Sequence, residues 1–395
     1  MRVNAASARQ RLAALLLLSG ILVGAPHVLA QPAVLSPGRE FWQDPWVPDL
    51  RSPPARGGSS KVPISPERRI DVVILPDGYL DHDAADFVRA VDAWYRRFLT
   101  FPAWAEFRGA FRVRGLWTSS AARATADETS HFAVKVVDRK VAATGSKATA
   151  AAVFRALSRL DVNRSVRGKR YSHLVVVMLI KDERGRNPSG VARGVASPDH
   201  GTVVPVAFGA DSHHEFGHAF GGLRDEYIGT AGSRAKGKPP ERRSLFSVSN
   251  LSYTKESKSL PWSHLVPGSA LNPDRASVIG VLWPGGGAEH GVWHSEPRCF
   301  MNGRHDNWDL AKTRRGAALR EPRFCFWCEE ILVAKTLYLT GQLGDSDDGE
   351  RLWQRWEQLR PNYHQAFNVP ARIQVQNLKN AQEGLPQSAL LDRPD

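Results

Sequence analysis

The segment His214-Glu215-Phe216-Gly217-His218 has the residue types and spacing best suited to chemistry. In a helix, positions i and i+4 lie on one face, so His214 and His218 can direct their imidazoles at one ion. Glu215 lies one step round the helix, where it can take a proton from a zinc-bound water without binding the metal. The segment therefore predicts a zinc centre with Glu215 as catalytic base. A helix with solvated His and Glu side chains is the alternative.

The residues after this segment offer a third metal ligand. Gly221-Gly222 can end the helix through a left-handed turn, which lets the chain reverse towards the metal. Asp225 is the first side chain beyond this turn that is able to bind zinc, so we predict it as the third ligand. Glu226 stays open as an alternative ligand or as a partner that orients a histidine. A distant glutamate such as Glu241 is a further alternative.

Alternating strands and helices must position this centre. We predict strands at residues 69–75, 111–117, 174–180 and 201–208, and helices at 83–99 and 150–160. Pro205 lies within the last of these strands and argues for a sheet edge there. The alternation over residues 69–225 predicts an α/β fold with a mixed sheet.

Beyond Tyr227 the pattern weakens until helices predicted near 326–343 and 351–359, and Ile373 and Val375 suggest a last strand. The acids of 345–350 are expected at a helix start, where the helix dipole favours them. The predicted organisation is then given by the following ranges: a Pro/Gly/Arg-rich linker (31–68), a metallopeptidase domain (69–343) with an upper (69–225) and a lower (226–343) subdomain, and a C-terminal helix, short strand and tail (344–395).

Residues 1–30 are typical of a cleavable signal peptide, with a basic start, an apolar run and Val28-Leu29-Ala30 before the predicted cut. This predicts a secreted or periplasmic protein; an uncleaved anchor is the alternative. The formal net charge of +13 falls to +10 without the three arginines of this leader. Such a charge favours an anionic envelope surface as a partner, or serves only solubility. No nucleic-acid-binding motif is present, and the oligomeric state is not predicted.

The three cysteines, Cys299, Cys325 and Cys328, lie in one short region of the sequence. Because export leads to an oxidising compartment, we expect a disulfide from Cys299 to Cys325 or Cys328. A structural zinc held by the three cysteines and a histidine is the alternative. His213 is expected to be a structural histidine that points away from the centre. The other histidines considered are expected mostly at the surface: His131, His290, His294 and His305.

The sequence from His214 to Tyr227 resembles the signature of the bacterial IgA-specific metallopeptidase family. Similar stretches occur at 71–79, 129–132, 190–192, 299–301 and 324–328, so the resemblance covers roughly residues 69–340. It implies a metzincin-like fold with Met301 in a tight turn beneath the metal and substrate in a cleft between the two subdomains. In the metzincin pattern the third ligand would fall at Arg224, which is not expected to bind zinc. Pro76 and residues 184–188 depart from the more glycine-rich family pattern.

Together these features predict a secreted zinc metalloendopeptidase that acts on a protein or peptide substrate. Glu215 would deprotonate the zinc-bound water and pass the proton to the leaving amine. Tyr227 would add a hydrogen bond to the oxyanion. Two alternatives stay open: a zinc hydrolase of a cell-wall amide or ester, and a non-catalytic binding protein on the same fold. The intact HExxH argues against the second. Substrate specificity depends on loop shape, which the sequence does not show.

Overall fold

The structure is a computed structural model. It describes residues 39–51, 60–127, 129–143, 146–161, 166–167, 171–196, 203–210, 212–227, 230–234, 244–302 and 323–382. The predicted signal peptide, Glu241 and His305 lie outside these residues. Within the described ranges, no helix combines the length and the apolar character needed to cross a membrane.

The described chain is a mixed α/β structure with one large mixed sheet. The helices are α1 (Ala84–Phe98), α2 (Pro102–Ala105), α3 (Lys147–Leu157), α4 (Ser212–Gly221), α5 (Phe326–Leu339), α6 (Gly349–Ala366) and α7 (Val369–Gln382). The strands are β1 (Glu40–Phe41), β2 (Trp46–Pro48), β3 (Lys61–Pro63), β4 (Ile70–Asp77), β5 (Phe111–Gly115), β6 (Lys135–Val137), β7 (Lys140–Ala143), β8 (Val166–Arg167), β9 (Tyr171–Ser172), β10 (Leu174–Ile180), β11 (Val191–Ala196), β12 (Val203–Phe208), β13 (Thr230–Arg234), β14 (Trp283–Pro284), β15 (Ala288–His290) and β16 (Trp293–His294).

The large sheet has six strands in the order β1-β5-β4-β10-β12-β11. The four central strands run parallel, while β1 and β11 pair antiparallel at the two ends. The prediction of a mixed sheet is therefore confirmed. The antiparallel strand β11 was not predicted, because its alternation is broken by Arg193 and Gly194.

The apolar runs of β4 and β10 form the centre of the sheet, as predicted. All eight residues of β4 are buried. Val72 and Ile74 face one hydrophobic core, whereas Val73 and Leu75 face the second core on the opposite side. Because successive strand residues point to opposite faces, a continuous apolar run is what a strand covered on both sides requires.

The expectation that Pro205 marks a sheet edge is wrong. The strand that contains it, β12, lies between β10 and β11. Its pairing with β10 covers only Val206–Phe208, so Pro205 lies just before the segment that is paired on both sides. The proline faces Gly194 on the β11 side. A residue without an N–H is tolerated there because the ladder to β10 begins after it.

Asp77, the last residue of β4, binds the loop of residues 130–134. Its buried carboxylate accepts hydrogen bonds from Ser130 Oγ (2.8 Å) and from the backbone N–H groups of Phe132 (2.9 Å) and Val134 (3.3 Å). Burial raises the pKa of Asp77 to about 6. This carboxylate fixes the loop that crosses the end of the sheet, a structural role for two of the stretches that carry the family resemblance.

Helices α1, α4 and α5 all contribute side chains to the first core. In α1 the buried residues are Phe87, Val91, Trp94, Tyr95 and Phe98, which is the helical spacing predicted for this segment. The predicted helices at 150–160 and 351–359 are α3 and α6, with boundaries shifted by several residues. Asp348 caps α6 by accepting from the N–H groups of Glu350 and Arg351, as expected for the acidic run.

The strand predicted around Ile373 and Val375 is wrong, because both residues lie in helix α7. Val369 and Ile373 are buried at i and i+4 spacing, while Val375 is 53% exposed. Two β-branched residues two positions apart match strand alternation, but the buried positions follow the helical period.

Candidate metal centre

Helix α4 brings the predicted ligands to the edge of the sheet. It follows β12 directly and packs against β10, β11 and β12. Phe216 and Phe220 anchor its inner side in the first core, where Phe216 lies edge-on to Trp104. His214 and His218 lie on the other side of the helix and are partly exposed. Aromatic packing therefore fixes which face of α4 holds the imidazoles.

The predicted glycine turn ends α4. Gly222 has a φ of 63°, in the left-handed region that glycine adopts without strain. Its N–H donates to the carbonyl of His218 (2.8 Å), and the N–H of Leu223 donates to the carbonyl of Gly217 (3.3 Å). The chain thereby reverses over the helix and brings Asp225 back to the two histidines.

Three side chains converge beyond the helix, and we call His214, His218 and Asp225 the histidine centre. The Nε2 atoms of the two histidines are 3.1 Å apart, and they lie 3.0 Å and 3.2 Å from Asp225 Oδ1. Ligand atoms of a tetrahedral zinc with bonds of about 2.0–2.1 Å lie about 3.3 Å from one another. The spacing of the three atoms therefore fits one zinc ion between them.

The outer nitrogen of each imidazole determines what its inner nitrogen can do. His214 Nδ1 lies 2.9 Å from the carbonyl of Phe300, and His218 Nδ1 lies 2.6 Å from the carbonyl of Leu223. A carbonyl only accepts, so each Nδ1 must carry the proton. In the neutral imidazoles both Nε2 atoms then present lone pairs towards the carboxylate. Three electron-pair donors that face one point suit a cation.

Charge around the centre shifts the pKa values of its members. Burial opposes protonation of His214, but Asp225 and the Phe300 carbonyl outweigh it and raise its pKa. Burial also acts against ionisation of Asp225, yet the two histidines hold its pKa below the ordinary value. Burial and the charge of Asp225 raise the pKa of Tyr227 to about 12. The site therefore favours an ionised carboxylate beside a neutral phenol.

Glu215 lies close to the histidine centre. Its side chain is only 8% exposed, and its charge contributes to raising the pKa of both His214 and Tyr227. A Cβ placed on Gly190 would lie 2.9 Å from Glu215 Cγ, so this glycine leaves the space that the glutamate occupies. Gly190 comes immediately before β11. The proposed base therefore lies between the metal ligands and the end strand of the sheet.

Met301, which the resemblance expects in a tight turn beneath the metal, packs against helix α4. It is fully buried in a 3-10 turn, Phe300–Asn302. A Cβ on Gly217 would lie 2.8 Å from Met301 Sδ, so the turn packs directly on the helix between the two histidines. The same turn supplies the Phe300 carbonyl that orients His214.

The loop that carries Asp225, the predicted third ligand, is held by a residue that the sequence did not single out. Asn250, which is fully buried, accepts from the Arg224 N–H and donates to the Arg224 carbonyl, both at 2.8 Å. Arg224 itself is exposed. Tyr227 donates to Asp225 Oδ2 at 3.1 Å. The carboxylate can thus offer Oδ1 to a metal while Oδ2 is held.

Glu226 points away from the histidine centre and lies with the cysteines. The three cysteines are buried free thiols, with Cys299 Sγ and Cys328 Sγ 3.8 Å apart, so the predicted disulfide is wrong. Cys328 Sγ lies 3.1 Å from Glu226 Oε1. We call Glu226, Cys299, Cys325 and Cys328 the cysteine cluster.

The remaining histidines have other surroundings. His213 is buried against Trp94, whose carbonyl lies 2.9 Å from its Nε2, and burial lowers its pKa to about 3. It is the structural histidine that was predicted. The expectation of a surface position is wrong for His294, which is 1% exposed and lies 3.3 Å from Glu226 Oε2. His290 is exposed and His131 is partly buried.

A third group joins His264, Glu330 and His364. The Nε2 atoms of the two histidines lie 2.9 Å and 2.7 Å from Glu330 Oε1. These are ordinary hydrogen-bond lengths. Glu330 is buried, and the contact ties α5 to α6.

The sequence missed Asn250, Glu226 as a partner of the cysteines, and the carbonyls of Leu223 and Phe300. The Leu223 carbonyl is five residues from its partner His218. The other groups come together from positions 24 to 102 residues apart, and local spacing does not indicate such contacts. A glutamate next to a predicted ligand was the one available signal.

No model of a known protein family matches the sequence, and no curated protein matches it either.

Proposed function

We propose that this chain is a secreted zinc-dependent endopeptidase with a metzincin-like fold. The observation that carries the proposal is the convergence of two Nε2 lone pairs and the Asp225 carboxylate on one point, with Glu215 beside it. Two histidines and one carboxylate leave a fourth position of a tetrahedral ion for water or substrate, which is the pattern of a catalytic rather than a structural site.

We assign each residue of the site a separate role in the reaction. His214, His218 and Asp225 hold the ion, which when bound supplies a Lewis acid that activates water and polarises the scissile carbonyl. Glu215 accepts the proton of the attacking water and delivers it to the leaving amine. Tyr227 donates its hydroxyl proton to Asp225 Oδ2. If that hydroxyl turned towards substrate, it would instead donate to charge that develops on the carbonyl oxygen.

A peptide substrate fits the exposed side of β11. Ser189, just before this strand, is already hydrogen-bonded to Arg139 and Val141. In the described part of the sheet, residues 191–196 pair only with β12, so this stretch offers a backbone edge to an extended chain. Residues 192–194 and 196 are partly or fully exposed. Because Gly190, just before the strand, lies against Glu215, a peptide paired along residues 191–196 would run towards the base. This favours a peptide over a cell-wall amide or ester.

Two further parts of the proposal rest on sequence alone. The resemblance of residues 214–227 supports membership of the bacterial IgA-specific metallopeptidase family, and residues 1–30 support export by a cleavable signal peptide. Neither identifies an immunoglobulin as the substrate.

Metal removal tests the proposal. We expect the purified mature chain to contain catalytic zinc, to lose peptidase activity when dialysed against a chelator, and to recover it when zinc is returned. The activity would be followed on an unstructured protein substrate. Peptidase activity that survives removal of all bound metal would contradict a zinc-dependent reaction.

A further inference from the structure

The cysteine cluster is a second group of buried donor atoms, separate from the histidine centre. Cys299, Cys325, Cys328 and Glu226 are each at most 1% exposed. Their sulfur and oxygen atoms all lie within 4.8 Å of one another. We propose that they bind a structural zinc ion.

The distances fit tetrahedral coordination. Two sulfurs on a zinc with Zn–S bonds of about 2.3 Å lie about 3.8 Å apart, and a sulfur and a carboxylate oxygen lie about 3.5 Å apart. Cys299 Sγ and Cys328 Sγ are 3.8 Å apart. Glu226 Oε1 lies 3.1 Å from Cys328 Sγ and 3.8 Å from Cys325 Sγ. One ion can therefore reach all four residues.

Backbone N–H groups point at two of the sulfurs. Cys299 Sγ accepts from the N–H groups of Met301 (3.4 Å) and Cys325 (3.3 Å), and Cys325 Sγ accepts from that of Cys328 (3.3 Å). Cys325 is also the N-cap of α5, where the helix dipole favours negative charge. Hydrogen bonds to sulfur stabilise the thiolate, which is the form that binds metal.

The charges around the cluster also favour a cation inside it. A buried carboxylate and buried thiolates cost free energy unless positive charge compensates them. Three groups that can carry positive charge lie near the cluster. Arg323 forms its ion pair with Glu296, and the charge of Lys335 acts on Cys328. His294 Nδ1 lies 3.3 Å from Glu226 Oε2, and its Nε2 lies 3.1 Å from the Pro284 carbonyl. A divalent ion among the four donors would neutralise the charge where it is concentrated.

The position of the cluster gives the ion a role. Glu226 directly follows Asp225, and its N–H donates to the Met301 carbonyl (2.8 Å). Cys299 begins the turn whose Phe300 carbonyl orients His214. An ion at the cluster would thus fix both the loop and the turn that shape the histidine centre. This structural role does not require peptidase activity.

Zinc content of paired variants tests the inference. We expect about two zinc ions in the wild-type mature chain and about one in the His214→Ala/His218→Ala double variant. Adding Cys328→Ser to the double variant should remove the remaining zinc. Ser295→Ala is the matched control, because its hydroxyl contacts Cys325 Sγ at 3.5 Å without being a proposed ligand, and it should retain both ions.

Two measurements on chains with all three cysteines keep the test decisive if Cys328→Ser does not fold. Cobalt substituted into the double-histidine variant should show the charge-transfer absorption of thiolate ligands.

Alkylation counts the free thiols. The wild-type chain, unfolded with chelator and no reductant and treated with an alkylating reagent, should take up three alkyl groups. Uptake of one alkyl group would show a disulfide and overturn the proposal. A folded double-histidine variant that has three free thiols but binds neither zinc nor cobalt would also overturn the proposal. Failure of the peptidase proposal alone would leave this second zinc in place.

Discussion

At the scale of single residues, each predicted ligand of the histidine centre is oriented by a hydrogen-bond partner on its outer side. Two backbone carbonyls fix the tautomers of His214 and His218, and Tyr227 holds the outer oxygen of Asp225. Such outer partners orient ligands and are worth roughly tenfold to a hundredfold in metal affinity.

Asp225→Ala should cost the histidine centre its zinc, as loss of either histidine would, because a three-ligand site has no spare donor. Zinc affinity would be measured by competition with a chromophoric chelator. Glu183→Ala is the control, since that acid is exposed and should change nothing. Unaltered zinc affinity in Asp225→Ala would exclude this residue as the third ligand.

The sequence predicted the three members of the centre because they lie within twelve positions of one another, joined by one helix and one turn. It left Glu226 open as a ligand of the same metal, and the structure places its side chain with the cysteines instead. Consecutive residues of an extended loop point to opposite sides. Asn250 holds the backbone of this loop at Arg224 and so helps to set which side chain faces the histidines. Local spacing in the sequence does not indicate that contact.

At the scale of elements, α4 is held between the strand β11 above it and the Phe300–Asn302 turn below it. Glycines allow the strand and the turn to pack closely against the helix. Gly190 leaves room for Glu215, and Gly217 leaves room for the sulfur of Met301. The helix therefore accepts glycine at a central position despite the cost in helix propensity.

Gly217→Ala should destabilise the fold, although alanine in a helix ordinarily stabilises by about 1 kcal/mol. The added Cβ would lie 2.8 Å from Met301 Sδ and 3.2 Å from the Phe324 ring, and overpacking of this kind costs about 1–3 kcal/mol. Denaturant unfolding would measure the change. Adding Met301→Ala should recover part of the loss as a favourable coupling in a double-mutant cycle. A more stable Gly217→Ala protein would show that the contact is loose.

Long periodic segments were predicted well, and short or interrupted ones were not. The burial of α1 and β10 follows the periods read from sequence. Strand β11 was missed because it contains glycine and arginine. Helix α7 was taken for a strand because Ile373 and Val375 stand at strand spacing. Tertiary pairing, rather than local pattern, decides such segments.

At the scale of the whole molecule, α5 joins the sheet and the histidine centre to the C-terminal helices. Every residue of α5 is buried, and its acids Glu329 and Glu330 point into that interface. Arg372 of α7 forms a two-bond pair with Glu329 at 2.7 and 2.8 Å, and Tyr363 of α6 donates to the same carboxylate.

Arg372→Ala should lower the free energy of unfolding by about 3 kcal/mol, because it leaves the buried Glu329 carboxylate without its cation. Leu378→Ala in the same helix is the control. Leu378 is 64% exposed, so its removal should change stability by less than about 0.5 kcal/mol. Equal effects of the two substitutions in urea unfolding would contradict a stabilising role for the pair.

We expect the histidine centre at α4 to hydrolyse peptide bonds with Glu215 as base. Mass-spectrometric cleavage profiling of a broad peptide library by the zinc-loaded mature chain, beside Glu215→Gln, tests it directly. The wild-type chain should produce new peptide termini. Glu215→Gln should keep its zinc and act at least about a hundredfold more slowly, the scale for loss of a general base. A zinc-loaded wild-type chain that cleaves no peptide, or a Glu215→Gln chain that cleaves as fast, would contradict the account.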